Sequence, residues 1–594
     1  MNTKTLQVVA EGARQQNLLA PVSRLPPELV LHIFSYVKAA VTLESKHVYR
    51  INEVKRRKWI MLTHIFHLWR DIALCTPSLW SNIHISEFDY KWANTMLQRS
   101  QHVPLNVHVN FEGFARRTRK YKHIKEALSI LEENVGRCKI LSLYNVQPEA
   151  FGRFFPPNHD APQLQTLRLS SHPESFDRDV ESIVLSDHTL HVGSLRRLTL
   201  LGYELDWSSS FLRGLAHLKI RACLSDSSDA GKLLQTLPEM TSLELLDLDG
   251  TIEFALAIPQ RPTSSQCVDP ISIPTLKNLR IQSSMENVAA FLSVLILPST
   301  VNIFLNADHD EEDGGGFGHY FKILFALSRI FAPALPPTRP STSILLPTEN
   351  HARSFRIIRG EDYTSDLRIQ AFRAVLTQDD LLTCAPSSSF NAPSPFIDCT
   401  FTFDFEFHSL QEAQVTHALT EVLPLDYVVT LQVVGELLLP PSVWAERFGR
   451  IPGLRSVLLG DCAVSYDMFE ALMFRATAVS SSSGNQSGGD STTLPFLALD
   501  TILLHGYSCG GDTERLLAEF TPKLEDRQAI GLPIRRVVLI DCELGGDSAG
   551  MLLLRNAVEL VEELELNLDF EEMMDNAVAD LDSELEDEDE ACFG

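Results

Sequence analysis

The sequence predicts an α/β fold, in which a short helical N-terminal domain precedes a solenoid of parallel β-strands joined by crossover helices. Three observations lead to this prediction. Apolar residues recur at helical spacing in residues 26–37 and 62–73, and a three-residue apolar pattern recurs from residue 138 onward. The composition, 44% hydrophobic and 22% charged, is typical of a globular chain, and 594 residues can bury more than one core.

The first helix is expected to begin near Pro26. Pro26 and Pro27 suit the first helical turn, where a missing N–H costs nothing, and Glu28 lies favourably near the positive end of the helix dipole. The apolar positions follow the spacing i, i+3, i+4 and i+7: Val30, Ile33, Phe34 and Val37. Leu29 widens the apolar surface beyond one stripe, so the helix is expected to have partners on two sides.

A second helical run is expected before Pro77. Its apolar residues also recur at helical spacing: Leu62, Ile65, Phe66, Trp69, Ile72 and Ala73. A domain of about sixty residues is marginal by surface-to-volume scaling. The surplus apolar surface therefore suggests that another protein completes this domain.

These segments resemble an F-box. The positions that match the family pattern are Leu25, Pro26, Glu28, Leu29, Ile33, Phe34, Ile65 and Trp69. The ending at residues 73–80 looks most like fungal-type F-box-like proteins, whereas Phe66 replaces the usual Cys and the link at 38–58 is longer and more basic than usual. In the family, the F-box binds a Skp-type adaptor and through it a cullin. The resemblance implies that the eight matching residues bind the adaptor.

From residue 138 onward, the order apolar, two residues, apolar, one residue, apolar recurs twelve times. The triplets are Cys138/Leu141/Leu143, Leu164/Leu167/Leu169, Leu195/Leu198/Leu200, Leu215/Leu218/Ile220, Leu243/Leu246/Leu248, Leu276/Leu279/Ile281, Thr300/Ile303/Leu305, Val428/Leu431/Val433, Leu454/Val457/Leu459, Leu499/Ile502/Leu504, Ile534/Val537/Leu539 and Val561/Leu564/Leu566. A short strand presents alternate residues to the interior, and a crossover must then return the chain before the next parallel strand pairs. The triplets resemble leucine-rich repeats of irregular length.

Cysteines in phase with the triplets support this interpretation. Cys223, Cys462 and Cys542 each follow the first residue of a triplet by eight positions. This is the Asn/Cys position of the repeat consensus, where a small polar side chain can bond the turn backbone.

The segments outside the repeats carry other patterns. Strands are expected at 83–85 and 105–109, with a helix at 92–99 between them. Residues 307–427 combine acidic and Pro-rich loops with degenerate repeats, among them a helix near 366–376 and an alternating stretch at 401–407.

The expected domains follow from these patterns. They are an N-terminal extension (1–22), the F-box-like domain (23–85), a linking α/β segment (86–137), repeats (138–306), loops and degenerate repeats (307–427), repeats with a Ser/Gly insertion at 480–493 (428–570), and an acidic tail (571–594). Residues 561–594 contain fifteen acidic and no basic residues, so the net charge of −26 falls to −11 for the rest of the chain.

Charged residues between the apolar strand positions are expected to line a groove for a target protein. The basic ones are Arg168, Arg197, Lys219, Arg221 and Arg280, against Asp247 and Asp249 in the same repeats and Glu563, Glu565 and Asn567 in the last. One hypothesis is that this basic part binds an acidic or phosphorylated segment. The alternative is unselected surface charge.

No catalytic, cofactor or metal site is expected. Ten cysteines include no C-x-x-C and no zinc-ligand spacing. The G-x-S-x-G motif at 546–550 resembles a nucleophile elbow, but the last histidine, His505, precedes the serine, so the hydrolase order fails.

Secretory and membrane signals are missing from the sequence. The basic clusters at 55–58 and 116–120 could be nuclear-import or phosphate-binding patches, but a solvated face is the favoured interpretation. The sequence contains no apolar stretch of signal-peptide or membrane-spanning length and no nucleic-acid-binding motif. We therefore expect a cytoplasmic or nuclear, non-catalytic protein that binds neither membrane nor nucleic acid.

Two functions remain open at this stage. The resemblance implies a substrate receptor of a cullin–F-box ubiquitin ligase, with the adaptor at residues 23–85 and the target, which the sequence does not identify, on the repeats. The alternative is a repeat scaffold whose F-box-like cap is structural. Exposure of Leu25 and Pro26 would favour the receptor, and burial of both against the first repeats would favour the scaffold.

Overall fold

In the computed structural model, the chain divides into two compact units, Met1–Ser283 with Val294–Pro298 and Ser284–Ser293 with Ser299–Gly594. The structure describes residues 21–43, 52–65, 67–85, 90–111, 128–129, 131–145, 161–170, 184–187, 192–221, 227–250, 270–298, 300–308, 316–331, 354–359, 366–372, 375, 399–406, 425–434, 439–460, 466–473, 494–505, 512–540, 542 and 549–564. The N-terminal residues 1–20, the basic stretch 44–51, the insertion 480–493 and the tail 571–594 lie outside these ranges.

The first unit begins with three helices. They are α1 (Pro27–Leu43), α2 (Asn52–Ile65) and α3 (His67–Leu74), followed by a 3₁₀ turn at Pro77–Trp80. The predicted helix start near Pro26 and the helical run at 62–73 are confirmed, apart from Phe66, which is outside the described residues. The turn is tied to α3 by the Trp80 indole N–H, which donates to the Ala73 carbonyl at 2.7 Å.

Aromatic side chains form the core between these helices. The Phe34 ring centroid lies 6.2 Å from that of Trp59 and 5.9 Å from that of Trp69, both edge-to-face, and Trp59 lies 5.1 Å from Trp80. Such pairs contribute about 0.5–1.5 kcal/mol each beyond the area they bury.

A parallel sheet makes up the rest of the first unit. The strands are β1 (Asn82–Ile85), β2 (Leu105–Asn110), β3 (Cys138–Tyr144), β4 (Thr166–Ser170), β5 (Val184–Leu185), β6 (Arg197–Leu201), β7 (Glu204–Leu205), β8 (His217–Arg221), β9 (Leu245–Asp249), β10 (Ile271–Ser272), β11 (Asn278–Ser284) and β12 (Leu295–Ile296). The main sheet has the order β1-β2-β3-β4-β6-β8-β9-β11, and every pair in it is parallel. The short strands pair separately, β5 with β7 and β10 with β12.

The apolar triplets explain the register of this sheet. Their central residues align across six neighbouring strands: Leu141, Leu167, Leu198, Leu218, Leu246 and Leu279. All six are buried, because alternate residues of a strand face the same side of the sheet. The helices α4 (Tyr90–Arg99) and α5 (Ser227–Thr236) also bury apolar side chains. The predicted strands at 83–85 and 105–109 and the helix at 92–99 are confirmed.

The second unit has a mixed sheet. Its strands are β13 (Asn302–Asp308), β14 (Ser354–Arg359), β15 (Asp366–Phe372), β16 (Cys399–Glu406), β17 (Thr430–Val434), β18 (Ser456–Gly460), β19 (Thr501–His505), β20 (Arg536–Ile540) and β21 (Leu560–Leu564). The order is β13-β16-β15-β14-β17-β18-β19-β20-β21. Only β15 runs antiparallel to its two neighbours.

The described residues contain more helices. They include α6 (Met285–Val294), α7 (Gly316–Phe331), α8 (Tyr466–Ala471), α9 (Asp512–Ala529) and α10 (Ala549–Ala557). A short helix and π-turn at Pro441–Val443 and Trp444–Phe448 precede β18.

The predicted helix near 366–376 is wrong. Residues 366–372 form β15, in which Leu367, Ile369 and Ala371 alternate with polar residues. Pairing with β14 on one side and β16 on the other favours this period of two over a helix, because the backbone groups are satisfied by both neighbours.

The last triplet also differs from its prediction. Val537 pairs with Val561 rather than with Leu564, so β21 lies three residues earlier than the triplet implies. Glu562 therefore occupies the groove position predicted for Glu565, opposite Val538, and it forms an ion pair with Arg536. Glu565 and Asn567 lie outside the described residues.

Candidate functional site

The predicted adaptor-binding residues fall into an exposed and a buried group. Pro26, Glu28, Leu29 and Ile65 are exposed, with 49% of Leu29 and 61% of Ile65 accessible, and Leu25 and Ile33 are half-buried. Large aliphatic side chains that remain this exposed are candidate contacts for a partner.

Phe34 and Trp69 belong to the helical core instead. Both are buried and contact each other edge-to-face. Sequence reasoning grouped them with the contact residues because family motifs do not separate residues that build a domain from those that touch its partner. Their effect on any partner is through the shape of the helices.

Two exposed residues were not singled out from the sequence. Tyr36 on α1 is 77% accessible and Met61 on α2 is 66% accessible. Tyr36 lies seven positions after Leu29, and Met61 lies four before Ile65, so each shares a helical face with a predicted contact residue. The spacing was the signal that could have identified them. We call Leu29, Tyr36, Met61 and Ile65 the exposed apolar patch.

Lys38 joins the C-terminal half of α1 to the 3₁₀ turn. Its Nζ donates to the Leu79 carbonyl at 2.9 Å and lies 5.7 Å from the centre of the Trp59 ring. Burial lowers the pKa of Lys38 to about 8, because the charged ammonium loses solvation. Lys38 thus links α1 to the 3₁₀ turn and to the Trp59 ring.

The candidate groove lies on the face of the first unit's sheet opposite the aligned leucines. The strand register places five residues in one line across neighbouring strands, Arg168, Thr199, Lys219, Asp247 and Arg280. We call these five residues the polar row. Adjacent members are about 4.8 Å apart along the backbone, the spacing of paired strands.

The row continues across the first three strands of the sheet, β3, β2 and β1. Ser142 is in register with Arg168, and His108 is in register with both Ser142 and His84. The two imidazole rings stack with centroids 4.8 Å apart. Ser142 is buried, and its hydroxyl has no hydrogen-bond partner within the described part of the chain.

Asp247 organises three of the predicted groove cations. Its buried carboxylate lies 3.2 Å from Lys219 Nζ and 3.6 Å from Arg221 Nη2 through Oδ2, and 3.9 Å from Arg280 Nε through Oδ1. Arg221 also approaches Asp249, at 3.7 Å from Nε to Oδ2. Lys219, Arg221 and Arg280 are therefore partly neutralised.

Arg168 and Arg197 differ from these three cations. Both side chains are exposed, and Arg197 lies two residues before Thr199 on β6 and in register with His217 on β8. The structure thus brings Lys219, Arg221 and Arg280 together around Asp247 and leaves Arg168 and Arg197 beside Thr199. The sequence identified Asp247 as a counter-charge but not its burial, and it did not identify Thr199.

The pKa values in this region reflect burial and local charge. Burial lowers the pKa of His217, and Arg197 adds to that effect, Glu244 opposes it, and Lys219 also lowers it. Burial raises the pKa of Asp249, while Arg221 opposes this change. The cations of β6 and β8 therefore act on a common region of the sheet.

The described ranges contain neither a metal-ligand cluster nor a helix that could span a membrane. No group of three or more His, Cys, Asp or Glu residues there could hold a metal ion. None of the helices in those ranges has both the length and the apolar character that crossing a membrane requires.

Comparison with known proteins adds no assignment. No protein-family model matches the chain, and no curated protein matches it. The candidate surfaces therefore rest on the chain's own residues.

Proposed function

We propose that this chain is the substrate-recognition subunit of a cullin–F-box (SCF-type) ubiquitin ligase. Residues 23–85 would bind a Skp-type adaptor, and leucine-rich repeats at 138–306 and 428–570 would bind a target protein. The chain itself would do no chemistry. The observation that carries this proposal is the exposed apolar patch, together with the exposed Pro26 beside a half-buried Leu25, on a helical domain of F-box-like sequence.

The separation of buried core residues from exposed patch residues in the helical domain supports adaptor binding. Phe34, Trp59, Trp69 and Trp80 supply the domain's own core, so the patch residues are not needed to hold the three helices together. Exposed aliphatic and aromatic side chains cost solubility unless a partner covers them. A partner that buries them would gain hot-spot contacts.

The repeat interpretation is supported by register and by one cysteine. Parallel strands follow one another in chain order, with the triplet leucines in line, as a solenoid requires. The Cys542 thiol lies 3.5 Å from the Leu504 carbonyl oxygen and 3.4 Å from that of Ile540, which fits the turn-bonding role of the consensus Asn/Cys position. Cys223 and Cys462 lie outside the described residues.

The test is co-purification of the full chain with a Skp-type adaptor. One variant carries Leu25→Ala with Pro26→Ala, and a second carries Leu29→Ser with Ile65→Ser. If these residues are anchors, each truncation costs about 1–3 kcal/mol, and each pair should reduce capture at least about tenfold.

The second unit offers a matched control. Leu553 and Leu552 have the same accessibility as Leu29 and Ile65, 49% and 61%. The double change Leu552→Ser with Leu553→Ser should leave capture unchanged. Failure of the wild-type chain to capture the adaptor would contradict the receptor proposal and favour a leucine-rich-repeat scaffold with a structural cap.

A further inference from the structure

Thr199 occupies an unusual position in the polar row. Its nearest neighbours in register are Arg168 on one side and Lys219 on the other, each about one strand spacing away. Arg197 lies two residues earlier on the same strand and points to the same face, about 6.7 Å along the backbone. The half-buried Thr199 thus has three cationic residues at neighbouring backbone positions on the same face.

The charges are unevenly distributed along this row. Asp247 takes the ion pairs of Lys219, Arg221 and Arg280, and it is two strands from Thr199, about 9.6 Å along the sheet. Arg168 and Arg197 are the exposed cations on the other side. The cations that pair with Asp247 therefore lie on β8 and β11, whereas the two exposed arginines lie on β4 and β6.

We propose that the polar row binds a phosphorylated side chain of a peptide segment at a site centred on Thr199. Arg168 and Arg197 would supply bidentate donors, Lys219 a third positive charge, and the Thr199 hydroxyl a neutral donor. That the peptide belongs to a degradation target rests on the proposed receptor function. The site itself does not.

The number of donors favours a phosphate monoester over a carboxylate. A phosphate carries close to two negative charges and three acceptor oxygens, and the planar guanidinium forks of two arginines match its oxygens. A glutamate carries one charge and two oxygens, so it would leave part of the cationic cluster uncompensated.

Asp247 acts as a positioning residue in this site. It fixes the Lys219 ammonium at 3.2 Å and lowers the net charge of the β8, β9 and β11 part of the row. A singly charged carboxylate therefore binds weakly to the β8, β9 and β11 part of the row. Strong binding is restricted to a doubly charged phosphate monoester beside Thr199.

The test measures retention of peptide pools by the purified full chain. Three degenerate pools carry a central phosphoserine or phosphothreonine, the unphosphorylated residue, or glutamate. The wild-type chain should retain the phosphorylated pool about tenfold better than either of the others, and less so at high salt. The variant Arg168→Gln with Arg197→Gln should lose about tenfold or more, and Thr199→Val several-fold.

Two further variants separate this site from general charge. Arg213→Gln removes an exposed arginine that pairs with Glu239 away from the row, and it should retain the phosphorylated pool as the wild type does. Asp247→Asn should raise retention of the glutamate pool several-fold, because three cations lose their counter-charge.

Several results would overturn the proposal. They are equal retention of the phosphorylated and glutamate pools, no retention of any pool, unchanged retention by the Arg168/Arg197 variant, or binding only to inorganic phosphate or to phosphoinositide vesicles. Adaptor capture is measured on the same preparations. Capture without phosphopeptide binding would reject this site alone, whereas phosphopeptide binding without capture would reject the receptor function alone.

Discussion

The two units differ in how they use the positions between their apolar triplet residues. In the first unit, the polar row leaves Arg168 exposed and Thr199, Lys219 and Arg280 partly accessible. In the second unit, the corresponding register positions are Gln432, Leu458, Leu503 and Val538, and all four are buried. The same strand pattern thus leaves polar side chains accessible in one unit and buries the corresponding positions in the other.

The two units also differ in what compensates their buried charged side chains. Asp247 of the first unit is compensated by cations at the surface. Arg527 of the second is fully buried and donates to three backbone carbonyls, those of Leu472, Pro495 and Phe496, at 2.7–3.2 Å. Burial lowers the pKa of Arg527 to about 10. The first unit uses charge at an accessible face, whereas the second uses it to fix loop ends on either side of residues 474–493.

The largest expected effect on stability comes from placing a carboxylate at equivalent strand positions of the two units. Val538→Asp places a carboxylate at a fully buried position and should cost about 4 kcal/mol, or about 10 °C in the unfolding midpoint by calorimetry. Thr199→Asp, at the equivalent position of the first unit, should change stability by about 1 kcal/mol or less, because cations surround it. Equal effects of the two substitutions would remove the distinction between the faces.

A smaller effect is expected from Arg527→Met. The apolar side chain fills similar space but leaves three buried carbonyl oxygens without their donor, at a cost of about 3 kcal/mol in urea unfolding. Arg213→Met removes an exposed ion pair with Glu239 and should change the free energy of unfolding by about 0.5 kcal/mol or less. A similarly small loss for Arg527→Met would show that the carbonyls find other donors.

The smallest expected effect is a pH dependence in the first unit. Burial lowers the pKa of Lys38 from its ordinary value of 10.5 to about 8 in the folded chain, so the unfolded chain binds more protons between these pH values. Stability of the helical domain should therefore rise as pH increases from about 8 toward 10.5. Urea unfolding followed by tryptophan fluorescence measures this, and Lys38→Met should lose the increase. A Lys38→Met variant with the wild-type increase would assign the effect to another group.

Local patterns determined much of this fold in advance. The helix start near Pro26 follows from proline geometry, and eleven of the twelve triplets coincide with strands because a period of two with large aliphatic residues leaves few alternatives. The secondary structure of the region 354–406 was harder to predict from the sequence. There, period-two alternation in residues 366–372 competed with helix-forming residues, and pairing with β14 and β16 decided the outcome.

The candidate sites were only partly predictable. From motif positions and strand periodicity, the sequence named Leu29, Ile65 and the five groove cations as candidates, and the structure shows each of them at least partly accessible. The sequence did not distinguish Phe34 and Trp69, which form core, from their exposed neighbours, nor did it identify Thr199 as the centre of the cationic region. Motifs mark positions along one strand or helix, whereas a site depends on neighbours supplied by other elements.

The sequence by itself determined the secondary-structure period, the helix start near Pro26, and which strand residues are apolar. Only the tertiary structure decided which face is buried, which cations Asp247 compensates, and where β21 pairs. The physical reason is that periodicity is a property of one segment, whereas burial and ion pairing are set by segments that lie far apart in the chain and meet only when it folds.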